Sequence, residues 1–205
     1  MPKTFKYKLY RRKRNGKLHR QIHVGGAIHN PCIALHRRYD RLYKKSLSCF
    51  TLNNHLTKLK KLPKYAWWTQ LGSHAIQGIA ARIDKGSKAF FAHVKARQAG
   101  KITRRVGPPT FRKVRNAKSF TLSQAGWKLR DGNRLKIGAT LYRFAKSQEI
   151  DGTIKTVTIK RDPLGDVYVY FSCILDDQQP IYRVMTGHSA GFACLRPGGE
   201  TSVPL

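Results

Sequence analysis

The sequence predicts an α+β protein in which a run of helices interrupts a small β-barrel. Three observations lead there. Strand alternation occupies the N-terminus, helical periodicity fills residues 18 to about 100, and short alternating strands separated by turn residues return after residue 118. At 205 residues the chain suits one substantial domain or two small ones, and its 40% hydrophobic content is enough to build a core.

In the opening strand Phe5, Tyr7 and Leu9 alternate with Lys6, Lys8 and Tyr10, which gives an apolar face and a basic one. The basic run from Arg11 to Lys17, broken by Gly16, reads as a solvated loop suited to phosphate contact. Ile33, His36 and Tyr43 sit near helical spacing within residues 30–45. Leu52, Leu56 and Leu59 mark a second helix ended by Pro63. Ile76, Ile79, Ile83, Phe90 and Val94 form one face of a third, with Ser73 placed to cap it. Residues 100–118 change character: Gly100, Gly107, Pro108 and Pro109 lie among seven cations, which predicts a hinge and a return crossing. Strands then follow at residues 119–122, 127–130, 135–137, 141–144, 153–160 and 167–175, with turns at Asp131-Gly132-Asn133 and Asp162-Pro163-Leu164-Gly165. The first strand is expected to pair with the late ones, and an oligonucleotide-binding type of barrel is the natural candidate.

Lysine and arginine number 41 against 10 acidic residues, a formal net charge of +31. That balance argues against an acidic-partner module or an ordinary small-molecule enzyme and points to a polyanion, most commonly nucleic acid. Residues 1–125 hold 30 basic and 2 acidic side chains, whereas residues 126–205 hold 11 and 8. The binding face is therefore expected mainly from the first three-fifths of the chain. No apolar run approaches a membrane span of about eighteen residues, and the basic N-terminus lacks the apolar segment of a signal peptide. Cys32, Cys49, Cys173 and Cys194 form no C-x-x-C pair, so reduced thiols in a cytosolic protein are expected.

No catalytic constellation emerges. Asp176-Asp177 is the only adjacent carboxylate pair and reads as a solvated turn; no phosphate-binding glycine loop, nucleophile triad or zinc spacing is present, and no metal or cofactor is expected. Trp67, Trp68, Phe90, Phe91, Phe111 and Phe120 are candidates for base stacking, with core packing favoured for Trp67 and Phe90.

Eight short segments in order are similar to a known pattern. Phe5-Lys6-Tyr7-Lys8-Leu9-Tyr10 resembles "F-x-Y-R-L-Y", Ile28-His29-Asn30 is placed like "V-Y-N", and Lys64-Tyr65-Ala66-Trp67 follows. Gly72-Ser73-His74-Ala75-Ile76-Gln77 resembles "V-x-S-Q-A-L-Q", and Ala89-Phe90-Phe91 resembles "K-N-F-F". Gly107-Pro108-Pro109-Thr110-Phe111-Arg112-Lys113 resembles "G-x-P-R-F-K", Ser119-Phe120-Thr121-Leu122 matches "S-F-x-x", and residues 149–155 resemble "I-x-G-x-I-K-S-V-T-I". Across roughly residues 4–192 the chain resembles the N-terminal part of the TnpB family, transposon-encoded RNA-guided nucleases related to type V CRISPR effectors.

The resemblance implies a wedge barrel formed by residues 1–17 and 105–178, a helical recognition domain at 18–104, and a vestigial start of a RuvC domain at 179–205. It implies a guide RNA and target double-stranded DNA as partners, no membrane, and a prokaryotic, cytoplasmic, nucleoid-associated location. Duplex-motif contacts would fall on Cys49, Ser73, His74 and Gln77, and on Ser119 and Thr121 of the barrel; for Ser73 a helix cap is an equal alternative. Lys8, Arg11, Arg12, Lys13, Arg14, Arg104, Arg105, Arg112, Lys113 and Arg115 would hold nucleic-acid backbone. The family's first catalytic aspartate aligns with Ala193, or with Thr186 in a shifted register, and neither can bind Mg²⁺ as a carboxylate does. The expectation is a nuclease-deficient, RNA-guided DNA-binding protein and not an enzyme. Two alternatives stay open: the binding half of a split nuclease, whose RuvC part is a separate transposon-encoded chain, and a structured-RNA-binding protein without DNA targeting.

Overall fold

Alternation at the N-terminus builds the strand on which the two sheets meet. In a computed structural model that describes residues 1–101, 104–123 and 125–175, β1 (Pro2–Lys8) buries Phe5 and Tyr7 and turns its lysines outward. It pairs antiparallel with β7 (Val167–Ile174), Phe5 opposite Phe171, and β7 pairs with β6 (Thr153–Arg161), which pairs with β2 (Ser119–Leu122). A second sheet is the meander β3 (Trp127–Arg130), β4 (Arg134–Ile137), β5 (Thr140–Arg143). Just past β1 the chain is hydrogen-bonded on both sides. Leu9 N–H donates to the Val167 carbonyl (2.9 Å), Tyr10 N–H donates to Arg143 (3.0 Å), and the Lys8 carbonyl accepts from Ala145 N–H (2.8 Å). An isolated Leu9–Phe144 bridge completes this seam.

Between β1 and β2 run α1 (Asn15–Tyr43), α2 (Cys49–Leu59), a 3₁₀ segment (Pro63–Gln70), α3 (Ser73–Gln98) and a short 3₁₀ turn (Val114–Asn116). The α+β class and the insertion of helices between first and later strands are thus as expected, and the six later strand ranges agree to within a residue, whereas β1 ends at Lys8, before Leu9 and Tyr10. The sheets, however, do not close into a barrel. β2 and β3 are consecutive in the chain yet pair with β6 and β4 respectively, not with each other. The first turns of α3 lie beside them instead. A Cβ on Gly78 would stand 2.7 Å from the Thr121 carbonyl oxygen, so only glycine lets the helix approach β2 this closely.

Helix α1 corrects two expectations. It begins at Asn15 rather than 18, so a domain boundary at 17/18 falls inside it, and the basic loop is shorter than its composition suggests. Turn bonds from Asn15, Gly16 and Lys17 N–H to the carbonyls of Arg12, Lys13 and Arg14 lead the chain into the helix despite Gly16. The helix also continues through Pro31, because Ile28, Cys32 and Ile33 are buried on both sides of it. Their packing outweighs a proline penalty of about 3 kcal/mol. Ser48, not a charged residue, caps α2, its Oγ accepting from Thr51 N–H (3.2 Å). Pro63 opens the 3₁₀ segment that follows. One continuous core joins both halves, from Phe5 and Phe171 in the sheet to Leu18, Ile22, Leu52 and Ile83 in the helices. Cys32 and Cys173 are buried free thiols, and burial pushes Cys32 up to about 12. The vestigial RuvC start, Asp176-Asp177, Ala193 and Cys194 lie outside the described residues.

The β6–β7 turn carries one buried carboxylate. Asp166, 5% exposed, accepts from Lys8 Nζ and Arg11 Nε, both at 2.6 Å, and these two cations hold it well below the usual carboxylate range. Lys8 and Arg11, expected to grip nucleic acid, therefore fasten the exit of β1 to the opposite hairpin.

Two outcomes follow from this packing. Gly78→Ala should lower Tm, since overpacking of about 1–3 kcal/mol exceeds a helix-propensity gain of at most ~1 kcal/mol; Gly16→Ala, with no atom within 4 Å of its new methyl, should leave Tm unchanged or raise it. Because the folded pKa of Asp166 is depressed, its stabilisation is complete above the unfolded value of about 3.9 and is lost as pH falls below it. Denaturant titrations from pH 6 to pH 2 should show Asp166→Asn less stable than wild type at pH 6, with the two curves converging in acid.

Candidate nucleic-acid interface

The first turn of α3 presents Ser73, His74 and Gln77 to solvent, at positions one and four residues apart on neighbouring faces. Burial of Trp68 and Leu71 anchors the preceding segment and fixes where the helix starts. Gly72 takes the N-cap position. Ser73 is the first helical residue and makes no capping bond, so the capping role expected for it is corrected and its hydroxyl stays outward. His74 lies beside Gly126, and Gln77 precedes the glycine that touches β2. The structure thus brings Ser73, His74, Gln77 and Thr121 to one region, with Ser119 two residues along the same face of β2.

Thr121 is already engaged: its Oγ1 accepts from Arg82 (3.0 Å) and shares a hydrogen bond with Thr158 Oγ1 (3.0 Å). Arg82, which the sequence pattern did not single out, is thereby fixed against β2, five residues along α3 from Gln77. Crowding by protein atoms, and next the Arg112 charge, push its pKa down, as expected where two guanidinium groups share one place without an anion. Cys49 does not join this group. It heads α2, accepts from Asn53 Nδ2 (3.6 Å), and has its thiol pushed up by burial and next by Asp84, seven residues or about 10 Å along α3 from Gln77.

The return crossing is held against α1. Asn30 clamps the backbone of Arg112: its Nδ2 donates to the carbonyl (2.9 Å) and its Oδ1 accepts from the N–H (3.0 Å). The His29 ring hydrogen-bonds Thr110 O (3.1 Å), and burial pushes its pKa down. A Cβ on Gly26 would lie 2.6 Å from the Ala117 methyl, which brings the crossing onto the helix itself. Arg112, Lys113 and Arg115 are therefore exposed on a fastened segment. Arg104 and Arg105 are exposed nearer the end of α3, where Arg105 and Arg97 border the same shallow groove. Arg12, Lys13 and Arg14 are exposed at the start of α1, and among the described residues no carboxylate pairs with them. Cations at the positive end of a helix dipole oppose folding unless an anion joins them.

The aromatics divide. Trp68 and Phe120, each 1% exposed, are core and cannot stack on bases. Trp67 reverses the expected assignment: it is 43% exposed with its indole N–H donated to the Lys64 carbonyl (3.1 Å), because the 3₁₀ segment turns Trp68 inward onto Tyr65. Phe91 and Phe111 are also exposed, Phe111 under the Arg37 guanidinium (4.6 Å).

A further cationic surface escaped the charge arithmetic. On the outward face of β3–β4–β5, Lys128 stands opposite Lys136, and Arg130, Arg134 and Arg143 stand in a row. Like charges directly opposite destabilise a sheet. Only Arg134 has a carboxylate partner, Asp131 at 3.4 Å, among the described residues. The signal was present as alternation, with Leu129, Leu135 and Ile137 inward and cations between them. The near balance of residues 126–205 hid it, since the other described acids of that stretch, Glu149, Asp151, Asp162 and Asp166, lie outside these three strands.

Among the described residues, no group of three or more His, Cys, Asp or Glu is placed to hold a metal ion, and no helix is long and apolar enough to cross a membrane. No protein-family model matches the chain, and no curated protein matches it.

Removing the clamp gives a direct check on this site. Asn30→Ala should speed hydrogen exchange at the Arg112 amide while costing only about 1 kcal/mol in global stability.

Proposed function

We propose that the protein binds a guide RNA and, through it, duplex DNA, reading a short target-adjacent motif without cutting. The observation that carries this reading is the exposed first turn of α3 set against β2. Gln77, an amide able to read an adenine edge, is exposed there, and farther along the same helix Arg82 lines a groove with Arg112 and Lys113, cations suited to gripping phosphates. On this reading the two sheets joined at Leu9 serve as a wedge domain and α1–α3 as a recognition domain, in line with the TnpB-like segment order. Base pairing by the guide supplies sequence, and the protein supplies backbone grip and motif reading. The absence of cleavage rests on Ala193 standing at the catalytic aspartate position.

The cationic face of β3–β4–β5 favours a second reading, a structured-RNA-binding protein with no DNA role, because a ladder of lysine and arginine without an amide reader holds backbone alone.

Binding titrations at three salt concentrations, on matched targets that differ only in the flanking motif, separate these roles. Gln77→Ala should cost roughly 1–3 kcal/mol on the preferred motif and little on others, with the salt slope unchanged. Arg112→Ala should weaken all motifs equally and lower the log–log salt slope by about one. If Gln77→Ala weakens every motif alike, α3 does not read sequence. Lys128→Glu with Lys136→Glu should abolish RNA binding under the second reading while DNA motif preference is absent in wild type.

A further inference from the structure

Where the barrel fails to close, a cleft of about 670 Å³ opens between α1, the start of α3 and the two sheets. That size is within the range of sites that enclose a small ligand and is too small for a duplex. Its chemistry is polarised. At one end the N-terminus of α3 carries no side-chain cap and no acidic residue in its first turn. Lys17 and Arg20 line the same cleft from α1, and no carboxylate lines it. Leu122 and Ile137 supply an apolar wall.

Gln21 adds an independent demand. It lines the cleft, is 8% exposed, and donates through Nε2 to the Gln70 carbonyl (2.9 Å). A carbonyl only accepts, so this bond fixes the amide orientation and leaves Oε1 as the orphan. That Oε1 is buried with no hydrogen-bond partner. A buried acceptor lacking a donor is costly, and an N–H or O–H would satisfy it.

We propose that the cleft takes one unpaired nucleotide of the bound nucleic acid. The phosphate sits at the start of α3 with Lys17 and Arg20, the base lies on the apolar wall, and an N–H of its unpaired edge donates to Gln21 Oε1. The base must be unpaired, because the cleft has no room for its Watson–Crick partner. Every base carries such a donor, so the site selects for a nucleotide being unpaired and not for its identity. This rests on the nucleic-acid reading above and adds a site to it.

The test uses the full chain, stripped of nucleic acid at high salt, titrated with AMP and with ribose 5-phosphate. AMP should bind roughly tenfold more tightly, the effect of pairing one orphan acceptor and burying one base. Gln21→Leu should erase that preference, Arg20→Ala should weaken both ligands together, and Thr69→Trp, an exposed position on the cleft wall, should weaken AMP while leaving Gln21 in place. If Gln21→Leu does not fold, the Thr69→Trp result decides. A duplex with one unpaired adenine should likewise outcompete the same duplex with an abasic site there. Equal binding of AMP and ribose 5-phosphate, or a preference unchanged by both Gln21→Leu and Thr69→Trp, overturns the cleft assignment. Salt-dependent duplex binding that persists in that case leaves the broader reading standing, whereas loss of all RNA and DNA binding by the wild-type chain overturns both.

Discussion

Pairing of residues 2–8 with 168–174 is the constraint on which the rest depends. Among the described residues β1 is the strand hydrogen-bonded to both sheets, through β7 on one side and, at its exit, through the continuation of β5 on the other. The helices leave from its end and return at β2, so their placement over the core follows from where β1 stops. The Lys8–Asp166–Arg11 cluster fixes that stopping point. Two of the most basic-looking positions near the N-terminus thus act on the fold, and cations farther along, Arg12 to Arg14, remain exposed.

Much of this architecture was legible in the sequence because the strands keep strict alternation and their turns keep their glycines and aspartates. Val169 and Phe171 bury as their period requires, and β1 pairs late as its apolar face suggests. Closure was not legible. It depends on whether β2 and β3 meet, and that is decided by Gly78, which lets α3 sit where a neighbouring strand would be needed. The start of α1 was hidden by Gly16 and a run of cations that read as loop, although Leu18 and Ile22 already belonged to its buried face. The site shows the same division. Ser73, His74 and Gln77 are exposed together, as helical spacing demands. The separation of Cys49 from them is a matter of helix packing that no spacing encodes. The roles of Asn30, Arg82 and Gln21 come from side-chain bonds across 82, 39 and 49 residues of chain.

Exposed cations gather on, among others, the N-terminal approach to α1, the clamped return crossing and the outer face of β3–β4–β5. On the last they oppose one another in register. Such an arrangement stores repulsion that salt or a bound polyanion relieves, so stability and binding are linked through the same side chains.

The seam at β1 has a consequence for how the chain is made. The first strand leaves the ribosome before any of its partners, and residues 168–174 follow only after some 160 more have been added. At ~5–20 residues per second that delay is roughly 8–30 s. During it the helices can form and pack, but Phe5, Tyr7 and Leu9 have no sheet to enter. The lysines at 6 and 8 alternate with those apolar residues, and charge along an unpaired strand discourages its pairing with other chains. The outward lysines of β1 therefore keep a nascent edge soluble until the last strand arrives.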